Sequence, residues 1–148
     1  MSHWLSGKMD LTCSMAVLKK ALLNIMPEWD KYMQVSNAGD LSILNAYTGE
    51  KRSGYHLTVS LNAPKIQFAD IGFKRAPDGT WITDIDENYL RVPDIGTLQG
   101  AVKKEVGAMK AQAQALAKGG KVVGIQKSKG KITVKVQIPV EDKYKLRA

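Results

Sequence analysis

The sequence predicts an α+β fold: an antiparallel sheet, made of a meander plus a C-terminal hairpin, packed against two main helices. Three observations carry that expectation. Residues 14–26 and 98–118 repeat apolar side chains at three- and four-residue steps, the period of a helix with one buried stripe. Residues 31–85 and 121–138 alternate with a period of two, the pattern of strands with one buried face. The chain has 148 residues, 44% of them hydrophobic and 24% charged, which suits one globular core and is far from a disordered composition.

Residues 2–11 form a weakly alternating first strand, with His3 and Leu5 on one side and Trp4 on the other. Ser14 is placed to cap a helix running to Met26, whose stripe is Val17, Leu18, Ala21, Leu22 and Ile25. Pro27 stops that helix, because its ring and missing N–H do not fit a helix interior. Strands follow around Tyr32–Val35 and Leu41–Tyr47. Tyr55, Leu57, Val59 and Leu61 alternate with His56, Thr58 and Ser60, and Ala63-Pro64 breaks the run. Two further strands, Ile66–Arg75 and Thr80–Ile85, flank Pro77-Asp78-Gly79, a tight-turn signal.

Asp94 or Thr97 caps the second helix, from about Leu98 to Lys118. Its apolar side is Leu98, Val102, Val106, Met109, Ala113 and Leu116, and Gly119-Gly120 ends it. The closing hairpin carries Val123 and Ile125 on one arm and Ile132, Val134, Val136 and Ile138 on the other, turning at Lys129-Gly130. Lys131, Thr133, Lys135 and Gln137 point outward. With no repeat, linker or low-complexity tract, residues 1–140 read as a single domain and residues 141–148 as a charged tail.

Chemistry is sparse in this sequence. His3 and His56 are isolated, and Cys13 has no motif around it, so it reads as a small hydrophobe rather than a nucleophile. No CxxC or HxxxH spacing is present, and no metal or other cofactor is expected. Asp84-x-Asp86-Glu87 is the densest acidic group; a hard cation is one reading, and a turn or helix cap at a strand end is the plainer one. Residues 47–54 hold two glycines and a Lys-Arg pair without the order that wraps a nucleotide, and read as a hairpin loop. The expectation is a binding protein and not an enzyme.

Charge supplies the functional signal. Residues 1–100 hold ten Lys/Arg against eleven Asp/Glu, whereas residues 101–148 hold twelve against three. A segregated excess of this kind suits a polyanionic partner, because clustered cations release the counterions condensed on phosphates. The candidate contacts are Lys103, Lys104 and Lys110 on the helix and Lys121, Lys127, Lys129, Lys131 and Lys135 on the hairpin, with Lys51 and Arg52 at a loop tip as auxiliaries. Lysine outnumbers arginine eleven to one in residues 101–148, which points to backbone contact rather than bidentate base reading. The expected partner is RNA or another single-stranded nucleic acid, bound with little sequence preference. Trp4, Tyr32, Tyr47, Tyr55 and Trp81 are the rings available for base stacking, and most are expected in the core. The alternative is a protein-interaction adaptor that offers the hairpin's second arm as an edge strand.

No run approaches the roughly 18 apolar residues that cross a bilayer, and residues 1–10 lack the basic patch and apolar stretch expected of a secretory signal. With its single cysteine, the chain suits a reducing cytoplasm.

The order of several short motifs resembles a known family. These are Met1-Ser2-His3 followed by an aromatic, the leucine-rich helix ending near Met26, Asp70-Ile71-Gly72-Phe73, the Asp78-Gly79 turn, the late helix ending at Gly119 and the final hairpin. Together they resemble the plastid and cyanobacterial hypothetical reading-frame family Ycf thirty-five, which has relatives in bacteria and their phages. Ser53-Gly54-Tyr55 stands where that family carries Arg-Gly-Tyr. The resemblance implies a compact α+β fold and a cytoplasmic or stromal setting, and brings no activity or catalytic residue with it.

Overall fold

A computed structural model describes residues 4–66, 68–86, 95–128 and 130–137. The strands are β1 (Trp4–Lys8), β2 (Met33–Val35), β3 (Leu41–Leu44), β4 (Lys51–Tyr55), β5 (Leu57–Val59), β6 (Ile71–Arg75), β7 (Trp81–Asp86), β8 (Lys121–Ser128) and β9 (Lys131–Gln137). The helices are α1 (Met15–Ile25) and α2 (Ile95–Ala117), with a 3₁₀ turn at Pro27–Tyr32. Mixed helices and purely antiparallel pairing make this an α+β protein, as the two periodicities predict. The chain forms two compact units, Met1–Lys103 and Lys104–Ala148, divided within α2.

The first unit is built on a five-stranded sheet in the order β1-β7-β6-β5-β2. Its register fixes two faces, since directly opposed residues share a side. One transverse row is Gly7, Thr83, Phe73, Leu57 and Val35; the next, on the other face, is Ser6, Asp84, Gly72, Thr58 and Gln34. The first face is aliphatic and aromatic, and Leu57, Val59, Ile71, Phe73, Trp81 and Ile85 are essentially inaccessible. Each such side chain stabilises the fold by about 1.5–3 kcal/mol relative to exposure. The second face is partly covered by the β3–β4 hairpin, where Trp4, Ile43, Tyr55 and Ala69 form an apolar cluster. Tyr55 lies directly on Gly72, at a spot where a Cβ would stand 2.5 Å from the ring. Only glycine permits that approach.

Covering both faces corrects one expectation. Leu57, Thr58 and Val59 are all buried, so β5 does not have the single buried face that its alternation suggests. The acidic pair differs too. Asp84 is not a turn or cap but an interior residue of β7, Asp86 is the last residue of that strand, and both are buried. Glu87 lies outside the described residues, as do His3, Asp94, Lys129, Ile138 and Pro139.

Local signals did well where a single residue type dictates geometry. Ser14 caps α1, its side chain accepting the Val17 N–H at 3.2 Å. Pro27 ends α1 but opens the 3₁₀ turn, whose first position suits a residue without an N–H. Trp29 in that turn is fully buried and donates its indole N–H to the Pro64 carbonyl at 2.8 Å. Gly79, at φ +86°, closes the Asp78-Gly79 turn between β6 and β7. Thr97 is not a cap, because α2 already starts at Ile95.

In the second unit the remainder of α2 precedes the β8–β9 hairpin. Val106 and Ala115 are buried, but Leu116 is exposed, which departs from the expected stripe. Among the described residues, no helix is long and apolar enough to cross a membrane.

Candidate nucleic-acid interface

The β8–β9 hairpin has two chemically distinct faces, and a bulge is what separates them cleanly. Gly124 opposes Lys135, Gln126 opposes Thr133 and Ser128 opposes Lys131, so these six share a side. The register then shifts between Val122 and Gly124, where one strand carries an extra residue. Strict alternation would turn Lys121 to the side of Val123 and Ile125. The bulge instead sets Lys121 opposite Gln137, on the polar face. Lys121, Lys131 and Lys135 therefore lie together with Gln126, Ser128, Thr133 and Gln137, all exposed, and with no carboxylate paired to these lysines among the described residues.

The other predicted cations are dispersed. Lys127 lies on the opposite, aliphatic face, across from Ile132, and its ammonium is 2.5 Å from the nearly buried Glu105 carboxylate. That pair neutralises it and removes it from the basic surface. Lys104 lines a groove between α2 and the same aliphatic face, and Lys110 lies further along α2, exposed. Lys103 belongs to the first unit.

Lys51 and Arg52 are not at a loop tip. They begin β4, paired with Leu44 and Ile43, because the reversal is completed at Asn45–Glu50. Arg52 is occupied: its Nε is 3.0 Å from Glu50 and its guanidinium lies 5.1 Å from the centroid of the Trp4 ring. It stabilises the β3–β4 cluster rather than reaching outward. The aromatic rings follow the core expectation for Trp4, Tyr55 and Trp81, all buried, while Tyr47 is largely exposed.

A second polar constellation lies inside the first unit, and the sequence does not reveal it. Asp84 accepts hydrogen bonds from the hydroxyls of Ser6 and Tyr55, and the Lys74 ammonium is 3.6 Å away. Lys74 also sits 5.4 Å from the Tyr55 ring centroid. Burial, then the hydrogen bond to Asp84, pushes the Tyr55 hydroxyl well above the ordinary phenol range. Next to it, the Asn45 amide donates to Asp86 at 2.9 Å. These contacts satisfy two buried carboxylates, which otherwise would be costly to keep from water.

An open cavity of about 420 Å³ beside β2 and β5 is lined by polar groups, among them Lys31, Gln34, Ser42, Thr58, Ser60 and Asp70. Both Asp70 oxygens are engaged by backbone, accepting from Leu44 N–H at 2.8 Å and Leu61 N–H at 2.7 Å. His56 packs edge-on against Trp81 at 6.0 Å, and Trp81 donates to the Cys13 carbonyl. Asp84 is an even position of β7 and points to the face opposite Trp81, so His56 and Asp84 do not converge. Among the described residues, no three His, Cys, Asp or Glu side chains gather as a metal-holding group.

No family model, no curated protein and no solved structure matches the chain.

Proposed function

We propose that this protein binds RNA or another single-stranded nucleic acid, with little sequence preference, through the polar face of the β8–β9 hairpin. The observation that carries this reading is the shared face of Lys121, Lys131 and Lys135, bordered by amide and hydroxyl side chains. Ammonium groups are strongly hydrated point charges that suit phosphate oxygens in any sequence context. Gln126, Ser128, Thr133 and Gln137 add donors for phosphate and sugar oxygens. Among the described residues that face carries no aromatic ring, which suits an electrostatic affinity rather than base stacking.

The mechanism is charge neutralisation with counterion release. Three phosphates neutralised on a single strand give a slope of about −2 in a plot of log affinity against log salt. Fluorescence polarisation of a labelled oligouridylate across a salt series tests this. A slope near zero, or no binding at low salt, would overturn the reading. Kinship with the Ycf thirty-five family and a reducing cytoplasmic setting belong to the same proposal, on the quoted motifs and the single cysteine.

A further inference from the structure

The opposite face of the hairpin is aliphatic and open. Ile125 is 50% exposed there and Val136 41%; the bulged Val123 is 55% exposed, and Leu116 near the end of α2 is 63% exposed. A two-stranded hairpin gains little stability alone, and aliphatic side chains gathered on one side of it favour a covering element. The same face continues into a groove of about 280 Å³, formed by Ile132 and Val134 on one wall and Gly107, Ala108 and Ala111 of α2 on the other. The small helix residues leave room for inserted side chains, and Lys104 lines the groove with its ammonium near the Gly130 turn.

Charge selects among the possible occupants. Residues 104–137 contain eight lysines and one acid, Glu105, which Lys127 already engages. A second copy would bring a like charge to the same place. An anionic bilayer would meet the aliphatic side while Lys121, Lys131 and Lys135 pointed away from its headgroups. An acidic segment with aliphatic anchors satisfies both the open face and Lys104, which has no acidic partner among the described residues. We propose that this groove docks an acidic amphipathic segment of a partner protein, its aliphatic side chains against Ile125, Ile132 and Val134 and its carboxylates toward Lys104. The site is independent of the nucleic-acid reading, since it uses the other side of the hairpin.

The test uses the full chain with methyl-labelled valine and isoleucine. Two synthetic peptides of equal length share the same leucine spacing, one with glutamate and one with lysine at the remaining positions. The expected result is that only the glutamate peptide shifts the Ile125, Ile132, Val134 and Val136 methyl signals. Ile125→Ser should weaken it by about tenfold, as loss of an apolar anchor does. Lys104→Gln, an exposed change that leaves folding intact, should weaken it severalfold, while Lys131→Gln with Lys135→Gln should not. Equal response to both peptides, or none, overturns the proposal. So does concentration-dependent self-association that broadens these same methyls without peptide, or displacement of the glutamate peptide by phosphatidylserine vesicles. Failure here with intact oligouridylate binding would leave the nucleic-acid reading standing, and the reverse outcome would separate them equally well.

Discussion

The Tyr55 hydroxyl donates to the Asp84 carboxylate across the backbone of Gly72, linking the small β3–β4 sheet to the centre of the larger one. This bond, with those from Ser6 and Lys74, lets a buried carboxylate sit in the middle of a five-stranded sheet. Tyr55→Phe keeps the ring on Gly72 but removes one donor from a buried acceptor. Urea unfolding should show a loss of about 1–3 kcal/mol. The pH dependence has a definite sign. The folded state holds the phenol proton well above the value at which the unfolded chain releases it, near 10. Stability contributed by Tyr55 is thus complete below about pH 10 and declines as pH rises beyond it, a decline that Tyr55→Phe should reduce.

Thr83 presents the converse case. Its hydroxyl is fully buried on the aliphatic face of β7 and has no hydrogen-bond partner among the described residues. Thr83→Val replaces the unsatisfied group with a methyl of similar shape. It should raise stability by about 1 kcal/mol, read as a higher urea midpoint at unchanged slope.

At the Asp78-Gly79 turn, Asp78 accepts from the Lys8 ammonium at 2.6 Å and from both the hydroxyl and the N–H of Thr80. The Lys8 bond, then those from Thr80, holds its carboxyl below the ordinary range. A depressed carboxyl stabilises the fold above its unfolded value near 4 and loses that contribution as pH falls further. Asp78→Asn should therefore lower the thermal midpoint at pH 6, and by progressively less as pH falls below about 4.

The lysines divide by face. Replacing Lys121, Lys131 and Lys135 together by Gln should flatten the salt dependence of oligouridylate binding while leaving the circular dichroism melt within error, because exposed substitutions cost little. Lys127→Gln should do the opposite. It takes the Lys127 ammonium from the nearly buried Glu105 carboxylate and should destabilise the chain by about 1 kcal/mol, a modest figure because Lys127 itself is half exposed. Binding should scarcely change.

Much of the fold was readable because local chemistry dictates it. The Ser14 cap, the Asp78-Gly79 turn and the alternation of Lys131–Gln137 each need only neighbours in sequence. What escaped depends on partners distant along the chain. Arg52 reads as a loose cation until Trp4, forty-eight positions away, comes under it. Asp84 reads as a cap until Ser6 and Tyr55 converge on it. Three hairpin lysines were found by alternation or by charge alone, but the common side of Lys121 with Lys131 and Lys135 depends on a pairing irregularity that composition does not announce.

That irregularity lets the ribbon carry an odd residue without reshuffling its faces. Deleting Val123 would restore uninterrupted pleating and still leave Lys121 opposite Gln137, on the side of Lys131 and Lys135. The bulge thus absorbs one extra residue, and the strand pair presents the same three ammonium groups to an anion with or without it.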